Sequence, residues 1–244
     1  KIVINIVYGL TSAKFDNPFR DKRNMDNIAA KRGALFMVDL KHAVQEKGWT
    51  VAHIKTDSIK IPNMTPEMID FVTEFGAKYG YDFELEGIYE KFCLVNDAVY
   101  IAKKEDKWTA VGAQFAHPYV FKTIFSKEEL EWDDYCETKQ VTKGAMYLDF
   151  DSIHKPAFAA EGMHFVGRTG RFVPVSEGSG GGILNRVYEG KSYAVAGTKG
   201  YLWMEAILAK DQEDVELDIS YYEELVDAAM TQLEKYGDSA KFIE

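Results

Sequence analysis

The chain has 244 residues, of which 46% are hydrophobic and 14% aromatic, enough to bury a core in one large domain or two small ones and too many for a disordered chain. No run approaches the roughly 18 apolar residues of a spanning helix, and no basic segment leads into an apolar one, so neither a membrane partner nor a secretory leader is expected. The net charge of −10 is hostile to nucleic acid as a sum, yet residues 211–244 hold −9 of it, while 14–32 carries Lys14, Arg20, Lys22, Arg23, Lys31 and Arg32 against Asp16, Asp21 and Asp26.

In chain order, Lys1 to Tyr8 is an apolar run that fits a strand or a buried helix equally. Thr11 to Arg23 is polar, with Asp16-Asn17-Pro18 as a turn. Ile28, Leu35, Val38 and Ala43 are spaced for one helix over about 27–47, closed by Gly48. Trp49 to Ile54 and Ser58 to Ile61 are β-rich and flank Lys55-Thr56-Asp57, which gives strand, tight turn, strand. Thr65-Pro66-Glu67 starts a second helix that ends near Gly80. Tyr81 to Phe115 holds three more strand-like runs, broken at Asn96-Asp97 and at 103–107. One sheet with helices packed on it is the expectation for 24–115, and the class is α+β. Beyond Pro118, Val120 to Leu130 is helical, 164–201 is glycine-rich with short β runs, and Ser220 to Lys235 is an acidic amphipathic helix. A composition shift at 116–130 is the expected boundary.

The chemistry-bearing words are few. Cys93 and Cys136 have no CxxC partner and read as reduced thiols of a cytoplasmic protein. The five histidines lack metal-ligand spacing. Lys1, Asn5 and Tyr8 are spaced by four and three, which puts them on one face if the run is helical. Asp57 at a hairpin tip could offer a carboxylate to a cation, or simply be a turn aspartate. Tyr8 could equally be a core tyrosine, Asn5 a helix cap and Lys55 a solvated lysine. The glycine-rich stretch with Arg168, Arg171, Arg186 and Lys199 does not match a P-loop. Tight turns, or contacts to DNA phosphates that read no bases, remain open there.

Lys1-Ile2-Val3-Ile4-Asn5-Ile6-Val7-Tyr8-Gly9 resembles the K-x-x-x-N-x-x-Y-G signature of family B DNA polymerases, and Lys55-Thr56-Asp57-Ser58 resembles the D-T-D-S turn of the same family. Tyr89-Glu90-Lys91 and Asn96 to Tyr100 sit where that family has its K-x-Y strand, although Ala98 stands where the lysine would be. The likeness is clear over 1–61, fair to about 115 and positional beyond, where it is similar to a phage-type thumb. The resemblance implies the end of the fingers at 1–23, a palm with an antiparallel sheet and packed helices at 24–115, and a mixed, thumb-like region at 116–244.

It further implies Asp57 as catalytic residue and Mg2+ ligand, and Lys1, Asn5 and Tyr8 facing a deoxynucleoside triphosphate. Lys91, Tyr100, Arg168 and Arg171 would touch primer-template DNA, in the cytoplasm of a bacterial or phage-infected cell. Two departures stand out. Lys55 replaces the first aspartate of the turn, and no D-x-x-S-L-Y-P-like segment or exonuclease domain occurs. The opening on Lys1 rather than Met then reads as a piece of a longer chain, whose upstream polymerase segment would supply the partner carboxylate. The competing expectation is a non-catalytic module, derived from a polymerase, that binds DNA or a partner protein.

Overall fold

The computed structural model describes residues 2–150, 162–198, 200–206 and 214–244; Lys1, His154 and Lys199 lie outside the described residues. The chain divides into two compact units, 1–90 with 96–98, and 91–95 with 99–244. The composition shift at 116–130 falls inside the second.

In the first unit the opening apolar run is a helix, α1 (Ile2–Ser12), with no buried residue. The alternatives of a strand and a buried helix both give way to an exposed helix, because an apolar run specifies a need for cover without specifying what covers it. A short α2 (Lys22–Met25) follows, capped by the Asp21 carboxylate on the Arg23 amide. The expected long helix is α3 (Ile28–Glu46), closed by Lys47 and by Gly48 at φ +82°.

The buried face of α3 is not the expected one. Phe36, Met37, Leu40 and Val44 face the core, while Leu35 is 65% and Val38 45% exposed. Two apolar stripes run along α3, and the partner decides between them. Phe36 sits among Phe75, Tyr79, Tyr81 and Phe83, with its ring centroid 4.5 Å from that of Tyr81. The partner helix α4 (Pro66–Lys78) begins as its sequence dictates. The Thr65 hydroxyl accepts from the Met68 amide, Pro66 occupies a position that needs no N–H, and Glu67 lies in the positive first turn.

Between them, β1 (His53–Lys55) and β2 (Ser58–Lys60) form an antiparallel hairpin of their own, with Ile54 opposite Ile59. Both isoleucines pack on the α3–α4 core. The remaining strands of this stretch, β3 (Lys91–Asn96), β4 (Val99–Lys104) and β5 (Lys107–Val111), make a separate three-stranded sheet, so the single sheet expected over 24–115 is two. Residues 81–90, which looked β-rich, form no strand.

In the second unit, Val95, Val99 and Ile101 of that sheet share a core with Phe115, Val120, Ile124 and Phe125. The last four belong to α5 (Ala113–Ala116), α6 (Pro118–Phe121) and a π-helical turn at Lys122–Ser126. The acidic helix α7 (Ile219–Glu234) completes this core through Ala229 and Leu233, and α8 (Ser239–Ile243) follows it.

The glycine-rich region folds as two further sheets. One has β6 (Glu137–Gln140), β9 (Thr169–Pro174) and β12 (Tyr201–Trp203) in the order β12-β9-β6. The other has β7 (Ala145–Asp149), β8 (His164–Gly167), β10 (Ile183–Tyr188) and β11 (Lys191–Ala194) in the order β11-β10-β7-β8. Met146, Leu148, Val166 and Leu184 from the second sheet meet Phe172 and Tyr201 from the first. The class is α+β with antiparallel pairing, as expected.

Candidate functional site

Asp57 occupies the second position of the two-residue turn between β1 and β2, exposed at the tip. The turn is closed by the Lys55–Ser58 pair and by the Ser58 hydroxyl donating to the Lys55 carbonyl at 3.1 Å. Thr56 takes φ +55°, a left-handed conformation that a β-branched residue rarely adopts. The strand alternation therefore breaks at Thr56, and a shared face for Lys55 and Asp57 does not follow from the pleat.

On the hairpin face away from Ile54 and Ile59, His53 stands opposite Lys60. His53 is buried, with Nε2 3.1 Å from the carbonyl of Asp97 at the β3–β4 turn. Burial pushes the Lys60 ammonium down, the Lys55 charge pushes it further, and Glu86 opposes both. The hairpin face therefore carries positive charge beside the one carboxylate of its tip.

Asn5 and Tyr8 stand three apart on α1, both exposed, Tyr8 to 38%. Asn5 lies inside the helix and is no cap, and Tyr8 is not a core tyrosine. The Tyr8 carbonyl accepts from the hydroxyls of Thr11 and Ser12, and Asn24 donates to Thr11, which ties the end of α1 to α2. Lys1, the third member of the signature, is outside the described residues.

The remaining expected contacts lie in the second unit. Lys91 opens β3, and its ammonium donates to the carbonyls of Phe242 at 3.1 Å and Lys241 at 3.4 Å. Tyr100 on β4 stacks on Phe92 with centroids 5.3 Å apart. Arg168 is exposed in the turn from β8 to β9, and Arg171 on β9 pairs with Asp133 at 3.2 Å. Arg186 lies over the Tyr193 ring at 5.1 Å. Asn5 with Tyr8 and Asp57 with Lys55 are thus grouped on their own elements, whereas Lys91, Tyr100 and the arginines are distributed over three sheets.

Magnesium requires several oxygen ligands in near-octahedral geometry. Among the described residues no group of three or more His, Cys, Asp or Glu side chains could hold a metal. Asp57 is the one carboxylate of its turn, so the described residues do not by themselves form a magnesium site. Nor, among them, is any helix long and apolar enough to cross a membrane.

One charged cluster has no signal in the sequence. Glu137 on β6 is only 8% exposed. It accepts from the hydroxyls of Tyr201 at 2.7 Å and Tyr221 at 2.8 Å, and Lys139 lies 2.9 Å away. His117 Nε2 stands 3.5 Å off, at the limit of a hydrogen bond. Burial pushes the carboxyl up, but the nearby His117 ring, the Lys139 ammonium and the Tyr201 hydroxyl outweigh it and hold Glu137 at about 2. Burial, reinforced by the Glu137 charge, raises Tyr201, Tyr221 and Tyr222 in turn.

No family model matches the chain, and no curated protein matches it. Among solved structures it is similar to the family B DNA polymerase from the hyperthermophilic archaeon Pyrobaculum calidifontis, with a TM-score of 0.47 and 13% identity. The match covers 97% of this chain and 33% of that one, so the chain spans about a third of the length of that polymerase.

Proposed function

We propose that this chain is the C-terminal palm and thumb portion of a family B-like, phage-type DNA polymerase, which transfers a deoxynucleotide to a primer 3′-hydroxyl under template direction. The observation that carries the reading is an exposed Asp57 at the tip of an isolated two-residue hairpin, downstream of a helix that presents Asn5 and Tyr8 on one face. The order of these elements along the chain supports it. The end of the fingers would be 1–23, the palm 24–115 and the thumb-like region 116–244.

Asn5 and Tyr8, with Lys1, would pack against the base, sugar and phosphates of the incoming nucleotide. Lys91 and Tyr100 would lie near the primer end, and Arg168 and Arg171 along duplex phosphates. Asp57 would be one carboxylate of a magnesium site completed from an upstream segment. The chain's own contribution to catalysis would be positioning and charge, since phosphoryl transfer asks little covalent work of the protein.

A second reading, a non-catalytic module that binds DNA or a partner, is favoured by one observation: Lys55 and Lys60 put positive charge on the hairpin where a metal site wants carboxylates.

Primer extension with a labelled primer separates the two. The chain alone should not extend. With the upstream polypeptide supplied it should, and Asp57→Asn should then lower the rate by at least about a hundredfold while DNA binding stays within about twofold. Extension by the isolated chain, or full activity of the Asp57→Asn variant, contradicts the polymerase reading as stated.

A further inference from the structure

Lys91, placed near the primer end in the proposed function, does not stand open to a duplex. Its ammonium donates to the carbonyls of Phe242 at 3.1 Å and Lys241 at 3.4 Å, both in α8 and 150 or more residues away in sequence. The last carbonyls of a helix have no partner within it and carry partial negative charge. The end of α8 therefore holds, with dipoles, the same donor that a DNA phosphate would take with a full charge.

The attachment of α8 is slight. The helix has five residues and follows α7 through a turn in which Gly237 takes φ +149°, with open space where a Cβ would stand. It leans on the β3–β5 core through Phe242 and Ile243, neither of them fully buried, with the Phe242 ring 5.5 Å from that of Trp108. A cleft of about 640 Å³ lies beside it, lined by Lys91, Phe92 and Leu94 of β3 and by Leu233, Tyr236 and Phe242. The Tyr236 hydroxyl donates to the Val95 carbonyl at 2.8 Å, which fixes the chain up to that residue. A movement of α8 would thus begin at Gly237.

We propose that α8 is an autoinhibitory strap, which holds the Lys91 ammonium back from DNA until the helix turns away about Gly237 and Lys91 passes to a phosphate. The exchange trades two carbonyl dipoles for a full negative charge, and it costs the packing of Phe242 and Ile243. The closed form therefore lowers the apparent duplex affinity by the fraction of chains that it holds. This deepens the polymerase reading and rests on it for Lys91 as a DNA contact.

The test is an anisotropy titration of the full chain with a labelled primer-template duplex over a range of salt. Phe242→Ala removes the ring that seats α8 on Trp108, and Ala240→Gly weakens the helix at an exposed position; neither changes the charge. Phe242→Ala should tighten binding about threefold at low salt and steepen the slope of log affinity against log salt by about 0.9, the mark of one added phosphate contact. Ala240→Gly should move both quantities the same way, by less, and it carries the test alone if Phe242→Ala does not fold. Lys91→Gln should erase the gain, so its cost is larger in the loosened chains than in wild type. Affinity and slope that loosening leaves unchanged, or an equal cost of Lys91→Gln in wild type and loosened chains, overturns the strap and leaves Lys91 as a duplex contact. A Lys91→Gln change without cost in any of these chains, or no duplex binding by any of them, removes the Lys91 contact and the strap with it.

Discussion

A carboxylate as buried as Glu137 stays ionised only while its donors hold it so. The Tyr201 and Tyr221 hydroxyls and the Lys139 ammonium come from β12, α7 and β6, and the two tyrosines are 64 and 84 residues away in sequence. No local pattern could have announced the cluster, since Glu137-Thr138-Lys139-Gln140 reads as an ordinary polar strand. Asp57 was legible for the opposite reason: its turn is closed by its immediate neighbours. The cluster has a definite pH signature. The Glu137 carboxyl is lowered in the fold from 4.5 to about 2, so its contribution to stability is complete above the unfolded value and fades as pH falls from about 4.5 toward 2. At about 1.4 kcal/mol per unit, the contribution is about 3 kcal/mol. Glu137→Gln should therefore cost about 3 kcal/mol at neutral pH and roughly half of that near pH 3, read from urea midpoints at the two pH values. A cost that does not change with pH would mean that Glu137 acts through packing alone.

Elements set by short-range signals were readable. The cap, proline and first-turn acid of α4 lie within three residues and fix its start. The α3 face was misread because both of its apolar stripes are plausible, and the aromatic ring cluster around Phe36 is assembled from residues beyond 70. The exposure of α1 was equally hidden, for an apolar composition says nothing of the neighbour that would cover it. The hairpin carries its own strain. Thr56 holds a left-handed backbone against the crowding of its branched Cβ, a cost of roughly 1–2 kcal/mol for an ordinary L-residue. Asparagine tolerates that region better and keeps a similar backbone entropy in the unfolded chain. Thr56→Asn should raise stability by about 0.5–1 kcal/mol, measured as the shift in denaturant midpoint at constant m-value. A loss of stability would show that the Thr56 side chain makes contacts worth more than the strain it carries.

At the scale of the whole molecule, charge is sorted along the chain, and the fold decides which charges can act. The acidic helix α7 is part of the fold: its Tyr222, Ala229 and Leu233 are buried, so removing it would empty the core beneath β3–β5. Its carboxylates are another matter, since Glu223, Glu224 and Asp227 are exposed. The basic run at 14–32 and most cations of the glycine-rich sheets are exposed at least in part, although Arg20, Arg23 and Arg171 pair with Asp16, Asp21 and Asp133, so charges of both signs can act on a polyanion. Phosphate contacts release counter-ions, so each one adds about 0.9 to the slope of log affinity against log salt. With three or more contacts, affinity for a primer-template duplex should fall more than tenfold between about 50 and 200 mM salt. Converting Glu223, Glu224 and Asp227 to their amides should tighten duplex binding by a few-fold at low salt, with little change near 200 mM, because screening shortens the reach of exposed charges to about 8 Å. The number of phosphate contacts should stay the same, because those carboxylates repel the duplex without touching it. Anisotropy titrations of wild type and the triple amide at both salt concentrations decide the matter. A duplex affinity indifferent to salt would remove phosphate contact as the basis of binding, and a triple amide that binds no better would place the acidic face of α7 out of range of the DNA.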